Sequence, residues 1–473
     1  ARHFTLHALT LDPADPTRYI IDGQSVAMEP RTVSVPMPDG TPEATRTLYT
    51  TRFGPLVVVP QSGMTWSATA AFAMKDANRG NARAIDTWLR IGKANSVGEI
   101  KAAVSETLGI PWVNTIASDR HGDALHADVT AVPNVSADKI KACSTPVSML
   151  FAAQATLLDG SRAACDWDVA AGTPVPGLMP ASDQAATTVR DYLTNSNDSY
   201  WLSNPRIPHP ALSPILGKHA SALTLRSRSN FSETTATLAA GKIDHDRAKA
   251  MAFANKSLAA DMVMDELAVL CAAAEPQRGC AALAGWDRRF EASSKGAALF
   301  RAFWAKAGNR SDLWAVAFDP ADPVNTPRDL ATEGAKGEKL LALLGEAVAD
   351  LDKAGIALDA PWGTVQRWTA NGEAIPIHGG PGTAGVLNYQ DARPAPGGGL
   401  VPVHGTSYIQ IVSFDAKGPV ADAILSYSQS TDPASPHFAD QTRAYAAKQW
   451  HRMPFDRKAI KAQRIGKPKR LAE

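Results

Sequence analysis

The chain has 473 residues, with 48 Lys and Arg against 47 Asp and Glu, so its formal net charge is +1. Because so balanced a chain cannot neutralise many phosphates, we expect no nucleic-acid partner. The apolar share of 45% and charged share of 20% are typical of a packed globular protein. No apolar run approaches the roughly twenty residues needed to cross a bilayer, so we expect no membrane partner either.

The first sixty residues predict strands, because β-branched and aromatic residues stand between Pro, Gly and Asp. The predicted strands cover residues 3–11, 18–22, 32–35 and 47–59. Helical spacing follows over residues 83–108, and strand character returns over 112–135. Five residues mark the apolar faces of the predicted helix: Ile85, Trp88, Leu89, Ile100 and Val104.

The middle of the chain predicts a loop over 165–181 and a long helix over 243–274. That helix has an apolar stripe of Met251, Leu258, Met262, Leu267 and Leu270. Further helices are predicted over 297–307 and 338–353, and strands over 386–387, 408–414 and 423–426. Strands followed by helices and again by strands predict an α+β layered fold.

We expect residues 1–473 to form one structural portion. Its first part, over 1–230, should consist mainly of core strands, interrupted by one helical excursion. A helical region over 231–370 precedes a return to core strands and a C-terminal tail over 371–473.

Three features of the sequence bear on other kinds of functional site, and none of them predicts one. Residues 380–385 spell GxGxxG, but the strand-like Val386 follows, so no helix N-terminus is available for a dinucleotide phosphate. His126 and Asp128 lie on one strand face, and Asp119, His121 and Asp123 on the other, which favours a polar turn with a partly exposed strand over a metal site. GxSxG is absent, so the nucleophile elbow of α/β-hydrolases is not expected. We expect no cofactor.

The four cysteines are Cys143, Cys165, Cys271 and Cys280. Proximity favours the pairs Cys143–Cys165 and Cys271–Cys280, although three connectivities are possible. Such short loops would each contribute ~2–3 kcal/mol if unstrained. The alternative is four buried thiols, and the absence of CxxC argues against redox catalysis or a zinc knuckle.

An asparagine-rich segment over 195–205, NSNDSYWLSNP, carries the strongest functional signal. It places turn-forming Asn, Asp and Ser beside a Tyr-Trp-Leu anchor. A side-chain amide held in this way can stabilise a developing oxyanion. A plain polar loop is the alternative interpretation.

This segment and four others resemble blocks of the penicillin acylase family of N-terminal nucleophile hydrolases. The resemblance is strongest to the branch with acyl-homoserine lactone acylases, aculeacin acylase and penicillin V acylases. Residues 51–57 are similar to the family's HGPxV strand, with Phe53 where His is common, and 116–123 to its ADxxGN turn. Residues 378–383 and 428–441 match two late blocks, the second an SQSxxPxSPHxxDQ pattern.

The resemblance implies a four-layer αββα core with helical insertions. It also implies a processed precursor, in which the N-terminal Ser of the large chain is the nucleophile. Ala1 cannot take that role, so we expect the Ser to precede it, a small α chain to be the partner, and this chain to be inert alone. Family members are exported, which favours disulfides and a periplasmic or extracellular location.

In the mechanism that the resemblance implies, the free α-amine of the Ser activates its own hydroxyl for attack on an amide carbonyl. Asn197 is the expected oxyanion donor, with Asn195 as the register alternative. Arg226 is expected to order the Asn and the Ser, with Arg228 as its alternative; a surface Arg pair is the other interpretation.

Four residues match pocket-lining positions of the homoserine lactone acylases: Phe72, Trp88, Trp112 and Val113. Aromatic walls suit a long or aromatic acyl group, so the expected substrates are N-acyl-homoserine lactones, then penicillins or acylated lipopeptides. Ordinary core packing is the alternative for both Trp residues. The alternative functions are a penicillin V or G acylase without a signalling role, and an inactive acyl-ligand binding protein.

One departure from the family concerns metal. Some penicillin acylases hold calcium through carboxylates on the strand that here carries Arg2, His3 and Thr5. Hard cations need oxygen ligands, so we predict no calcium at this position.

Overall fold

The computed structural model describes residues 2–38, 40–152, 154–273 and 277–470. Ala1, and Ala274 at the end of the predicted long helix, lie outside the described residues. Two compact units, Ala1–Ala220 and Ser221–Glu473, divide the chain. The division predicted at residues 230 and 370 stays a prediction about the organisation of the chain.

The first unit consists mainly of strands with a few helices. Its strands are β1 (Phe4–Asp12), β2 (Asp15–Ile21), β3 (Gln24–Ala27), β4 (Glu29–Val35), β5 (Ala44–Thr51), β6 (Gly54–Pro55), β7 (Ala70–Asp76), β8 (Thr115–Ser118), β9 (Ala124–Asp128), β10 (Leu157–Asp159) and β11 (Ala185–Val189). Its helices are α1 (Arg83–Lys93), α2 (Val97–Thr107), α3 (Ala137–Ala142) and α4 (Pro146–Phe151).

Strand β1 organises the largest sheet of this unit. It pairs in parallel with β10 and antiparallel with both β2 and β7, and β3 continues the sheet beyond β2. Leu9 and Leu11 of β1 pack with Tyr19 and Phe53 in one core cluster. The shorter sheets have the orders β4-β5-β6 and β11-β9-β8.

The HGPxV-like block turns tightly at Gly54, whose φ is 109°. A Cβ added there would lie 2.1 Å from the Met74 carbonyl oxygen, so only glycine allows this approach of the backbones. Phe53, which stands where the family commonly has His, is fully buried. His7 stacks on its ring with centroids 4.1 Å apart, so an imidazole still occupies this place in the core.

The second unit holds most of the helices. They are α5 (Leu225–Ala239), α6 (His245–Ala252), α7 (Leu258–Ala273), α8 (Arg278–Ala284), α9 (Ala297–Ala307), α10 (Gly334–Lys353), α11 (Trp362–Val365), α12 (Asp440–Ala446) and α13 (Arg457–Gln463). Its strands are β12 (Trp314–Val316), β13 (Arg328–Leu330), β14 (Arg367–Ala370), β15 (Glu373–Pro376), β16 (Gln390–Pro394), β17 (Leu400–Gly405), β18 (Tyr408–Asp415), β19 (Gly418–Leu425) and β20 (His451–Arg452).

The main core of the second unit lies where α7, α9 and α10 pack together. Along α10, Leu340, Leu343, Leu344 and Ala347 are buried, which is the spacing of one helix face. Phe300 and Phe303 of α9 are fully buried in the same cluster. Antiparallel hairpins β14–β15, β16–β17 and β18–β19 follow the helices along the chain.

Two helices predicted as continuous are each interrupted. The helix predicted over 83–108 is α1 and α2, because Ser96 leaves the helical conformation and its side chain accepts the backbone N–H of Glu99 as an N-cap. The helix predicted over 243–274 is α6 and α7. Its predicted core stripe is confirmed in part: Leu267 is buried in the main core, and the half-buried Met262 and Leu270 pack against it. Met251 and Leu258 are half-buried outside that cluster.

The strand predicted at Val386–Leu387 is wrong. The preceding glycines form a 3₁₀ turn over Gly382–Ala384 and serve close packing. A Cβ on Gly380 would lie 2.5 Å from the Phe290 ring, and one on Gly385 would lie 2.7 Å from the Leu258 Cβ. The GxGxxG spelling therefore reflects contacts of the backbone with buried side chains.

The structure pairs Cys143 with Cys165 and Cys271 with Cys280, which is the pairing by sequence proximity. The first bridge closes 22 residues and ties α3 to the turn after β10, and the second closes 9 residues between α7 and α8. Each bridge stays within one unit.

Reduction of each disulfide should lower the stability of the unit that contains it. The chain-entropy argument predicts a loss of about 3 kcal/mol for each bridge, because the unfolded chain regains the freedom of the closed loop. Thermal unfolding with and without reductant measures the total, and the Cys143→Ala/Cys165→Ala and Cys271→Ala/Cys280→Ala pairs separate the contributions. Unchanged melting in both double variants would contradict this.

In the part of the chain that the structure describes, no helix combines the length and apolarity needed to cross a membrane.

Candidate active site

The asparagine-rich segment forms a tight turn in the first unit. The side-chain oxygen of Asn195 accepts the backbone N–H of Asn197 at 3.0 Å. Asn197 adopts a left-handed backbone conformation with φ 69°, which Asn tolerates better than most residues. Its side chain is exposed. The turn thus places the Asn197 amide at the surface on a backbone held in a sparsely populated conformation.

The Tyr-Trp-Leu anchor predicted for this turn is confirmed. Tyr200, Trp201 and Leu202 are all buried. The Tyr200 hydroxyl accepts the backbone N–H of Leu212 at 2.8 Å, and the Ser199 hydroxyl donates to the Lys218 carbonyl. Bonds on its C-terminal side therefore fix the turn to a later part of the same unit.

His126 lies beneath the turn, on the central strand β9 of the β11-β9-β8 sheet. Its Nε2 is 3.4 Å from the Asn195 side-chain nitrogen, and the ring is 1% exposed. Burial lowers the pKa of His126, which favours the neutral ring. A neutral Nε2 can accept from the Asn195 amide, so the imidazole orients the residue that closes the turn.

The prediction of a partly exposed strand at His126 is wrong, since residues 125–128 are all buried. The polar turn before it is confirmed, because an Asp119 carboxylate oxygen accepts the backbone N–H groups of His121 and Asp123. Within the described residues, no His, Cys, Asp and Glu side chains cluster as metal ligands. The absence of calcium near Arg2–Thr5 stays a prediction.

The expected acyl-pocket residues differ in their surroundings. Trp88 is 53% exposed, Trp112 65% and Val113 39%, so the core interpretation of the two indoles is wrong. Phe72 is instead buried in β7, with its ring centroid 5.9 Å from that of Phe151. Its assignment to substrate binding, like that of the other three, stays a prediction.

Helix α1 presents an apolar face outward. Ile85, Trp88 and Leu89 have the i, i+3, i+4 spacing of neighbours on one face, and each is more than half exposed. The predicted apolar face of this helix is therefore present, and in the described part of the chain it is exposed rather than buried in the core. An exposed face of this kind marks an interaction surface more often than a solvated one.

In the second unit, the two candidate arginines have different environments. Arg228 is 3% exposed, and its guanidinium donates to the carbonyl oxygens of Val324 at 2.6 Å and Pro327 at 2.9 Å. Burial lowers its pKa to about 10. Arg228 therefore holds the chain before β13, and the interpretation of both residues as a surface Arg pair is wrong.

Arg226 faces a cavity of about 530 Å³ in the second unit. Its guanidinium carbon lies 5.6 Å from the centre of the Tyr389 ring, a cation–π distance. Asn309, Trp314 and Asp391 also line this cavity. Burial and the nearby Asp391 raise the pKa of Tyr389, while Arg226 opposes that rise. Arg228 lines the same cavity, so the two candidates differ in burial and in partners: Arg228 is buried on backbone carbonyls, whereas Arg226 is half-buried beside the Tyr389 ring.

The structure brings Asn195 and His126 together, whereas Asn197 and Arg226 belong to separate units. Sequence reasoning missed two neighbours of these residues. The pattern of apolar residues around His126 places Leu125 and Ala127 on the opposite strand face, so it did not reveal that both faces of β9 are buried. Tyr389 carried no signal in the sequence.

Comparisons with known proteins identify the family of this chain. The penicillin amidase family model matches residues 1–462. The acyl-homoserine lactone acylase PvdQ of Pseudomonas syringae pv. syringae (strain B728a) is 39% identical over 98% of this chain and 60% of its own length. The aculeacin-A acylase of Actinoplanes utahensis is 35% identical over the same shares. The chain spans about 60% of the length of these relatives.

A solved structure of thermostable penicillin G acylase from Alcaligenes faecalis aligns with a TM-score of 0.64 at 16% identity, covering 100% of this chain and 87% of that one. This likeness confirms the α+β class and the N-terminal nucleophile hydrolase fold. The family match covers nearly all of the sequence, including each of the five blocks. The chain belongs to the penicillin amidase family.

Proposed function

We propose that this chain is the larger part of an amidohydrolase that removes long acyl groups from N-acyl-homoserine lactones. The observation that carries the proposal is the identity of up to 39%, along 98% of the chain, to relatives named acyl-homoserine lactone acylase. The exposed indoles of Trp88 and Trp112 support it, because they offer apolar surface for an acyl chain at roughly 0.8 kcal/mol per buried methylene.

The catalytic roles proposed within this chain belong to Asn197 and Arg226. Asn197 would donate its amide to the oxyanion of the tetrahedral intermediate, and its fixed turn means that little reorganisation is needed. Arg226, supported by the Tyr389 ring, would take the ordering role that the family resemblance gives it. The proposed nucleophile is an N-terminal Ser that this chain does not contain, with its own α-amine as general base.

The proposed partner is a small α chain from the same precursor. The outward apolar face of α1, with Ile85, Trp88 and Leu89, supports a partner or acyl group that covers it. The two disulfides support a periplasmic or extracellular location, where such bridges persist.

A second candidate substrate class is the acylated lipopeptide, favoured by the 35% identity to the aculeacin-A acylase. The match to the penicillin amidase family adds penicillins as a third substrate class to test. An inactive homologue that binds acyl ligands would turn over none of these.

Mass spectrometry of products from the complete processed protein tests the proposal. We expect free fatty acid and homoserine lactone from long-chain lactones, with slower hydrolysis of penicillins. Trp88→Ala and Trp112→Ala should raise KM for long chains more than for short ones, whereas Val169→Ala, which removes an equally exposed apolar side chain, should not. Hydrolysis of penicillin or lipopeptide alone would replace the lactone assignment, and hydrolysis of none would support the binder.

A further inference from the structure

A second cavity in the second unit, of about 450 Å³, lies apart from the Arg226 cavity and shares none of its lining residues. It lies between the β14–β15 and β16–β17 hairpins and the segment 426–442. Ser428, Ser430 and Phe438 of the SQSxxPxSPHxxDQ block line it, together with Thr442, which follows the block. Its volume is within the range of about 300–1,000 Å³ typical of small-molecule sites.

Gln390 carries the fixed polar group of this cavity. The side chain is 5% exposed, and its nitrogen donates to the Thr406 carbonyl at 3.3 Å and to the Tyr445 hydroxyl at 3.2 Å. These two bonds set which way the amide faces. Among the described residues, its side-chain hydrogen bonds all run from the nitrogen, so its oxygen remains as an acceptor on a residue that lines the cavity.

The remaining lining combines aromatic rings with hydroxyl groups. The rings of Trp368 and Phe438 lie 5.2 Å apart. Within the described part of the chain, the hydroxyl groups of Thr406, Ser407 and Tyr427 form no hydrogen bond, so they are available to a ligand. Among the described residues, the cavity is lined by one imidazole, His404, and by no Lys, Arg, Asp or Glu, so an ionic ligand would find no permanently charged partner.

We propose that this cavity binds a neutral sugar. A pyranose has an apolar C–H face that suits the Trp368 ring, and an edge of hydroxyl groups that suits Gln390, Thr406 and Ser407. The ligand donates to the Gln390 oxygen and exchanges hydrogen bonds with the two hydroxyls. The site stands whether or not the amidohydrolase assignment does, because it uses none of the same residues.

Isothermal titration of the complete processed protein with maltose and cellobiose tests this. We expect saturable binding of at least one of them, and weaker binding of glucuronic acid, whose carboxylate meets no Lys or Arg among the described lining residues. Trp368→Ala should weaken sugar binding by about tenfold or more, because the stacking surface is lost. Phe414→Ala, which removes an exposed aromatic ring outside the cavity, should leave binding unchanged.

The Trp368 ring also packs against a core cluster, so its removal affects folding as well as the cavity. A second variant therefore separates loss of binding from loss of folding. Thr406→Val with Ser407→Ala keeps the side-chain volumes near those of the native residues and removes only the hydroxyl groups. It should weaken binding while the melting temperature stays within a few degrees of the parent protein. The proposal is overturned if neither disaccharide binds, if glucuronic acid binds as well as they do, or if both cavity variants bind like Phe414→Ala.

Discussion

Asn197→Ala in the complete processed enzyme should lower kcat about a hundredfold or more. Losing one preorganised oxyanion donor typically costs ~3–4 kcal/mol of transition-state stabilisation, while the acyl group still binds through other residues. KM should therefore change far less than kcat. Steady-state kinetics on a long-chain acyl lactone measures both constants.

Asn197→Gly separates the amide from the backbone. Glycine adopts the left-handed conformation of residue 197 without strain, so the turn closed by Asn195 should survive. We expect the same loss of kcat as in the Ala variant, together with normal thermal stability. Near-normal turnover in the Gly variant would move the oxyanion role to Asn195, whose own Ala variant would then show the hundredfold loss.

The conformation of this turn could be predicted from the sequence because turn chemistry is local. Asn195 bonds two residues along the chain, and the anchor of Tyr200 and Trp201 follows immediately. The choice between Arg226 and Arg228 was not local. Val324 and Pro327, which hold Arg228, lie almost a hundred residues away, so no short sequence pattern could reveal its burial.

The errors in the fold have a similar origin. Helical spacing predicted that Trp88 lies on an apolar face, which it does, but spacing cannot say what covers that face. A long apolar pattern also concealed the interruptions at Ser96 and near Asn255, because breaks of a few residues do not disturb the periodicity. Asn255 has a φ of 49°, a left-handed conformation that ends the helical path.

A buried polar network explains why three distant segments of the second unit meet. His378 is 1% exposed; its Nε2 donates to the Tyr445 carbonyl at 3.0 Å. Its Nδ1 accepts from the side-chain nitrogens of Asn388 at 3.0 Å and Asn255 at 3.2 Å. The Tyr445 hydroxyl donates to the Asn388 oxygen at 2.9 Å. The network joins the late block over residues 378–383 to α12, the helix that begins at the end of the SQSxxPxSPHxxDQ block.

His378→Phe should therefore destabilise the protein by roughly 3–5 kcal/mol. The phenyl ring can still stack on Tyr445, but the Tyr445 carbonyl and two amide N–H groups lose a partner, at about 1–3 kcal/mol for each group left unsatisfied. Urea unfolding followed by Trp fluorescence measures the difference. The matched control is His404→Phe, at an exposed imidazole of the same unit, which should change stability by no more than about 0.5 kcal/mol.

The difference between the parent protein and His378→Phe should also depend on pH. Burial lowers the pKa of His378 from 6.5 to about 4, so the folded state favours the neutral ring and the unfolded state takes up the proton first. The stability that neutral His378 provides is complete above about pH 6.5 and is lost as the pH falls towards 4, by about 3 kcal/mol in total. Other buried histidines titrate in both proteins and cancel in the comparison. We expect the stability gap to narrow over this range, and a gap that stays constant from pH 7 to pH 4 would show that His378 does not titrate with unfolding.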